Sequence, residues 1–123
     1  MAVTYTTAVK NARLDAVVTA IGSTGVLEIG TAGMATVLAT IALNSTAGTS
    51  AAGVLTFSGF PRSDTSADAT GTAAAARIRT ASGGTDIITG LTVGTSGSDI
   101  NLTSLSITSG QTVTISSATI THA

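Results

Sequence analysis

At 123 residues the chain has room for one domain, but five basic and six acidic residues, one Tyr, two Phe and no Trp leave little charge and few large rings for building surface and core. The basic residues Lys10, Arg13, Arg62, Arg77 and Arg79 form no stripe and have few aromatics among them, which excludes counterion-releasing nucleic-acid binding; no apolar run reaches the ~20 residues of a membrane span, since Thr36 and Thr40 interrupt Met34 to Leu43. The absence of Cys excludes disulfides and thiolate chemistry, and the start "MAVTYTTAVKNARLD" lacks the regions of a signal peptide, so the expectation is folding in the cytoplasm.

The first predicted element is a helix. In "TTAVKNARLDAVVTAI" (6–21), Tyr5, Ala8, Val9, Ala12, Ala16 and Ala20 recur at spacings of three and four, while Lys10, Asn11 and Asp15 lie elsewhere on the wheel. Thr4 or Thr6 supplies the N-cap and Gly22 the stop. A stripe this rich in alanine is expected to be the buried one and to lie close against another surface.

After Gly22 the hydrophobic period changes from helical to two. "GVLEI" (25–29) reads as a short strand, and in "ATVLATIAL" Val37, Ala39, Ile41 and Leu43 form one face. "GTAGMA" between them and "GTSGSD" later in the chain read as hairpin turns, and "NSTAGTSAAG" as a flexible loop. "VLTFSGF" (54–60), "TAAAARIRT" (72–80), "TDIITGLTVGT" (85–95), "DINLTSLSIT" (99–108) and "QTVTISSATIT" (111–121) complete a set of about seven or eight strands, with "ASGGT" and "TSGQT" as turns.

Parity changes inside the last two runs. Val113 and Ile115 are odd but Ala118 and Ile120 even, and Ile100 and Leu102 give way to Leu105 and Ile107, so a bulge or break is expected near Ser116-Ser117 and near Thr103-Ser104. The pattern predicts an all-β, mainly antiparallel sandwich or jelly roll over residues 23–123, preceded by an N-terminal arm and helix over residues 1–22, in a single domain.

Residues for chemistry are sparse. The single histidine, His122, is penultimate, where nothing holds an imidazole for a hydrolytic triad. Asp64 and Asp68 sit among Ser, Thr and Ala in a turn-like stretch and read as acceptors of local backbone N–H groups rather than as an acid and base. "DTSAD" and "TSGSD" offer hard oxygens but not the EF-hand pattern, and no glycine run follows a nucleotide-binding motif. The expectation is a non-enzymatic chain with no cofactor and no metal. In "RSDTSADATGTAAAARIRT" (62–80), Arg77 and Arg79 share one strand face and Ala74, Ala76 and Ile78 the other, which makes the arginines either ordinary surface or a subunit contact.

Charged residues make up 9% of the chain against about 25% in ordinary soluble domains, so copies repel one another weakly and a place in an assembly is expected. Three blocks, "TTAVKNARLDAVVTAIG", "TSADATGTAAAARIRT" and "VGTSGSDINLTSLSITSGQTVTISSATIT", resemble in that order a family of small virion structural proteins of tailed bacteriophages and prophages. The resemblance covers the helix and roughly the second half of the chain and implies a virion structural component, of which the favoured reading is a capsid decoration, or cement, protein on the outer head surface. On that reading the expectation is a homotrimer whose partner is the major capsid protein, made in the host cytoplasm, with no nucleic acid or membrane bound. It carries over no active-site residue. Candidate interface residues are Tyr5, Val9, Lys10 and Arg13 on the helix, then Arg77 and Arg79, with strand edges and the N-terminus hydrogen-bonding across subunits. The alternatives are a neck, tail or fibre-associated virion part and a receptor- or carbohydrate-binding sandwich, the latter disfavoured by three aromatics.

Overall fold

The structure, a computed structural model, describes residues 5–81 and 83–121. His122 and Thr4 therefore lie outside the described residues, as does most of the predicted N-terminal arm. Helix α1 (Thr7–Ile21) begins where Thr6 Oγ1 accepts the Val9 N–H at 3.4 Å. It ends at Gly22, whose φ of 75° takes the chain out of the helix while its N–H still reaches Val18 O.

Its orientation is the reverse of the expectation. Leu14 and Ile21 are buried and Val17 and Val18 partly so, whereas Tyr5, Ala8, Val9, Ala12, Ala16 and Ala20 face outward. Both stripes have helical spacing; the one with the larger side chains wins because each extra buried methylene stabilises by about 0.8 kcal/mol and alanine has almost nothing to hide. Ile21 packs so near the following turn that a Cβ at Gly25 would run into its Cγ2, which fixes glycine there by close approach.

Twelve strands follow among the described residues: β1 (Val26–Gly30), β2 (Val37–Ala42), β3 (Gly48–Ala51), β4 (Val54–Phe57), β5 (Arg62–Asp64), β6 (Gly71–Thr72), β7 (Ala75–Arg79), β8 (Asp86–Leu91), β9 (Val93–Gly94), β10 (Ile100–Leu102), β11 (Ser106–Ile107) and β12 (Val113–Thr121). The smaller sheet has the order β2-β1-β7-β8, and the larger one β3-β4-β12-β10-β9 with β5 also paired to β12; β6 and β11 form a separate ribbon. All pairings are antiparallel except β9 with β10, so the chain is an all-β, sandwich-like fold with one short N-terminal helix. The core joins Leu27, Ile29, Leu38, Ile41 and Ile78 of the smaller sheet to Leu55, Ile100, Leu102 and Ile115 of the larger, and Leu14 and Ile21 of α1 belong to the same cluster.

The strand count exceeds the expectation because single sequence runs divide and because β3 and β5 form in stretches read as loop and as turn. β10 stops at Leu102 and β11 starts at Ser106, the break expected near Thr103-Ser104. On β12, Asn101 pairs with Ser117 and Leu102 with Ile115, so Ser116 is the unpaired, exposed residue of a bulge; Val113, Ile115 and Ala118 all stay buried across it.

Two loop readings are corrected. "NSTAGTSAAG" contains β3, which pairs with β4 around the two-residue turn Ala52-Gly53, both at positive φ (52° and 76°), the conformation a tight hairpin requires. "GTAGMA" is a hairpin connection as expected, but "GTSGSD" joins strands that run parallel. That short crossover is held by side chains: Thr92 N–H donates to Asp99 Oδ2 at 3.0 Å, Asp99 N–H to Thr92 Oγ1 at 2.9 Å, and Asn101 Nδ2 reaches Ser98 O and Ser117 Oγ. Ala74, expected on the inward face with Ala76 and Ile78, is exposed, because the strand proper begins only at Ala75.

Candidate interaction surface

The polar span from Arg62 onward works as a seam between the sheets. The β5 backbone pairs with β12 of the larger sheet, while its side chains cross to β2, the edge of the smaller one. Arg62 donates through Nη1 to Ala42 O and through Nη2 to Asn44 Oδ1. Asp64 Oδ2 accepts the Thr40 N–H at 3.0 Å and its Oδ1 the Ser66 N–H at 3.0 Å, and Asp68 N–H reaches Leu38 O at 2.7 Å. Alternate backbone groups of an edge strand are thus satisfied by side chains and a loop rather than by another strand. Asp64 acts as the local acceptor its sequence context predicts and also has a distant partner that sequence reasoning did not find.

Arg77 and Arg79 meet a partner that went unrecognised. Antiparallel pairing sets Glu28 of β1 opposite Arg77 of β7, and Glu28 is only 5% exposed. Arg77 Nε donates to Glu28 Oε1 at 2.6 Å, and Arg79 Nη1 stands 3.8 Å from the same oxygen. Arg79 Nη2 donates to Gly84 O at 2.7 Å; its Nε lies 2.8 Å from Asp86 Oδ1 as an ion pair, without the alignment of a hydrogen bond. A buried carboxylate without such partners is expensive, so these guanidiniums hold the fold. The signal was present in sequence as one acid inside "VLEI" and two alternate arginines, but their pairing depends on strand order.

The other four candidates gather on α1 and, for Tyr5, just ahead of its N-cap. Tyr5 and Val9 are the exposed large hydrophobic residues of the described chain, each 42% accessible and a turn apart. The Arg13 guanidinium lies 4.7 Å from the centre of the Tyr5 ring, a cation–π contact that holds both side chains in place. Lys10 is half-buried, its stem beside Gly53, where a Cβ would stand 3.3 Å from Lys10 Cδ. The helix is fastened to the β3–β4 hairpin by Asn11 Oδ1, which accepts the Gly53 N–H at 3.0 Å, and by Asp15 Oδ1, which accepts from Ser50 Oγ at 2.6 Å. α1 therefore seats one apolar stripe on the domain and exposes a second, of Val9 and alanines beside Tyr5, next to Arg13 and Asp15.

Strand edges offer less than the sequence suggested. β2 is capped as described, and β8 sets six residues against four of β7, from Asp86↔Arg79 to Leu91↔Ala76, which spoils its ladder geometry. β9 is two residues long, and β3 begins at a buried Gly48 and carries Ser50 in contact with α1. Among the described residues no pocket opens in the surface, and no group of three or more His, Asp or Glu side chains is placed to hold a metal ion. No described helix is long and apolar enough to cross a membrane. Compared with models of protein families, with curated proteins and with solved structures, the chain matches none.

Proposed function

We propose that the chain is a virion structural subunit of a tailed phage, a capsid decoration protein that docks on the outer head surface through the open face of α1 and strengthens contacts between major capsid subunits. The observation that carries this reading is the two-sided helix. An exposed apolar stripe is a place for a partner to bury, and the one formed by Tyr5, Val9, Ala12 and Ala16 is exposed among the described residues. The small residues admit a partner backbone closely, and the Tyr5–Arg13 cation–π pair has the composition that dominates binding energy at protein interfaces. Low charge supports the same reading, since 9% charged residues give neighbouring copies little to repel with. The docking assignment rests on α1 rather than on strand edges, which the fold guards, or on Arg77 and Arg79, which are engaged within the chain. The role requires no catalytic residue and no cofactor.

The test is to raise an antibody against the purified chain and label tailed particles from the strain that encodes it, by negative-stain microscopy. Label over the head surface supports the proposal; label confined to the neck, tail or fibres, or none on particles, overturns it. Light scattering on the purified chain tests the homotrimer separately, the expected mass being three times 11.9 kDa.

A further inference from the structure

We draw no further inference here: the strongest candidate, the outer face of the larger sheet where Thr49, Thr56 and Thr119 line up across three strands, is an unpartnered face, and nothing in the structure shows what covers it.

Discussion

Two arginine-bearing surfaces of this molecule do opposite work. On the smaller sheet, Arg77 and Arg79 close over a buried Glu28 and reach Asp86 and the Gly84 carbonyl, so their charge is consumed inside the chain. On α1, Arg13 lies over an exposed aromatic ring, with no carboxylate within ion-pair distance among the described residues. The difference teaches that alternate arginines on a strand, which look like an interface in sequence, become structural once the neighbouring strand supplies an acid. A single arginine in mid-helix can be the freer one. If this contrast holds, substitutions on the two surfaces separate cleanly into those that lower stability and those that leave it alone.

The largest losses are expected where the chain holds itself together. Leu14→Ala removes a buried side chain between α1 and the core and should cost about 3 kcal/mol in denaturant unfolding. Ala16→Ser, on the open face of the same helix, should stay within about 0.5 kcal/mol. Equal effects would mean that the two helix faces are not distinguished as described. Arg77→Ala leaves Glu28 with only the longer contact to Arg79 and should cost about 2–3 kcal/mol, below the full penalty for orphaning a buried charge. The double variant Glu28→Gln/Arg77→Met should recover part of that loss. Equality between that double variant and the sum of Glu28→Gln and Arg77→Met, each measured alone, would show that the pair is not coupled. Gly25→Ala pushes a methyl into Ile21 and should cost about 1–3 kcal/mol, with Ser23→Ala, two residues away and exposed, as the near-neutral control. Smaller again is Asn11→Ala, which releases one hydrogen bond to the β3–β4 hairpin and should cost about 1 kcal/mol.

The sequence was legible where the deciding signal was local. Thr6 and Gly22 mark the ends of α1 because capping and left-handed stops depend on residues within one turn. The Ser116 bulge could be read because a parity change in buried residues has few other physical solutions. Long-range choices stayed hidden. Either stripe of α1 fits a helix, and only the core it meets selects Leu14 and Ile21 over the alanines. β3 is written in Ser, Thr, Ala and Gly, a composition shared with loops, and becomes a strand because β4 folds back on it. Glu28 and Arg77 lie 49 residues apart, and Asp64 and Thr40 lie 24 apart, so neither contact exists until the strand order is known. Of the candidate helix residues, Tyr5 and Val9 belong to the stripe expected to be buried, and the structure exposes both. That exposure is what now supports their use.

The smallest expected effect on stability carries the most functional weight. Tyr5→Ala combined with Val9→Ser removes the two exposed large apolar side chains of the described chain without touching the seated face, so unfolding free energy should change by under about 1 kcal/mol. Under the docking proposal the same variant should lose at least about tenfold in occupancy on phage heads, since truncating central aromatic anchors removes about 2 kcal/mol or more of binding. Arg13→Lys sharpens the assignment. It keeps the charge but replaces the guanidinium over Tyr5 with an ammonium, so a measurable fall in head binding with unchanged stability points to the Tyr5–Arg13 cation–π pair itself. Full occupancy by both variants, measured by quantitative labelling against wild type, would remove α1 from the interface and return the search for the contact to the sheet faces.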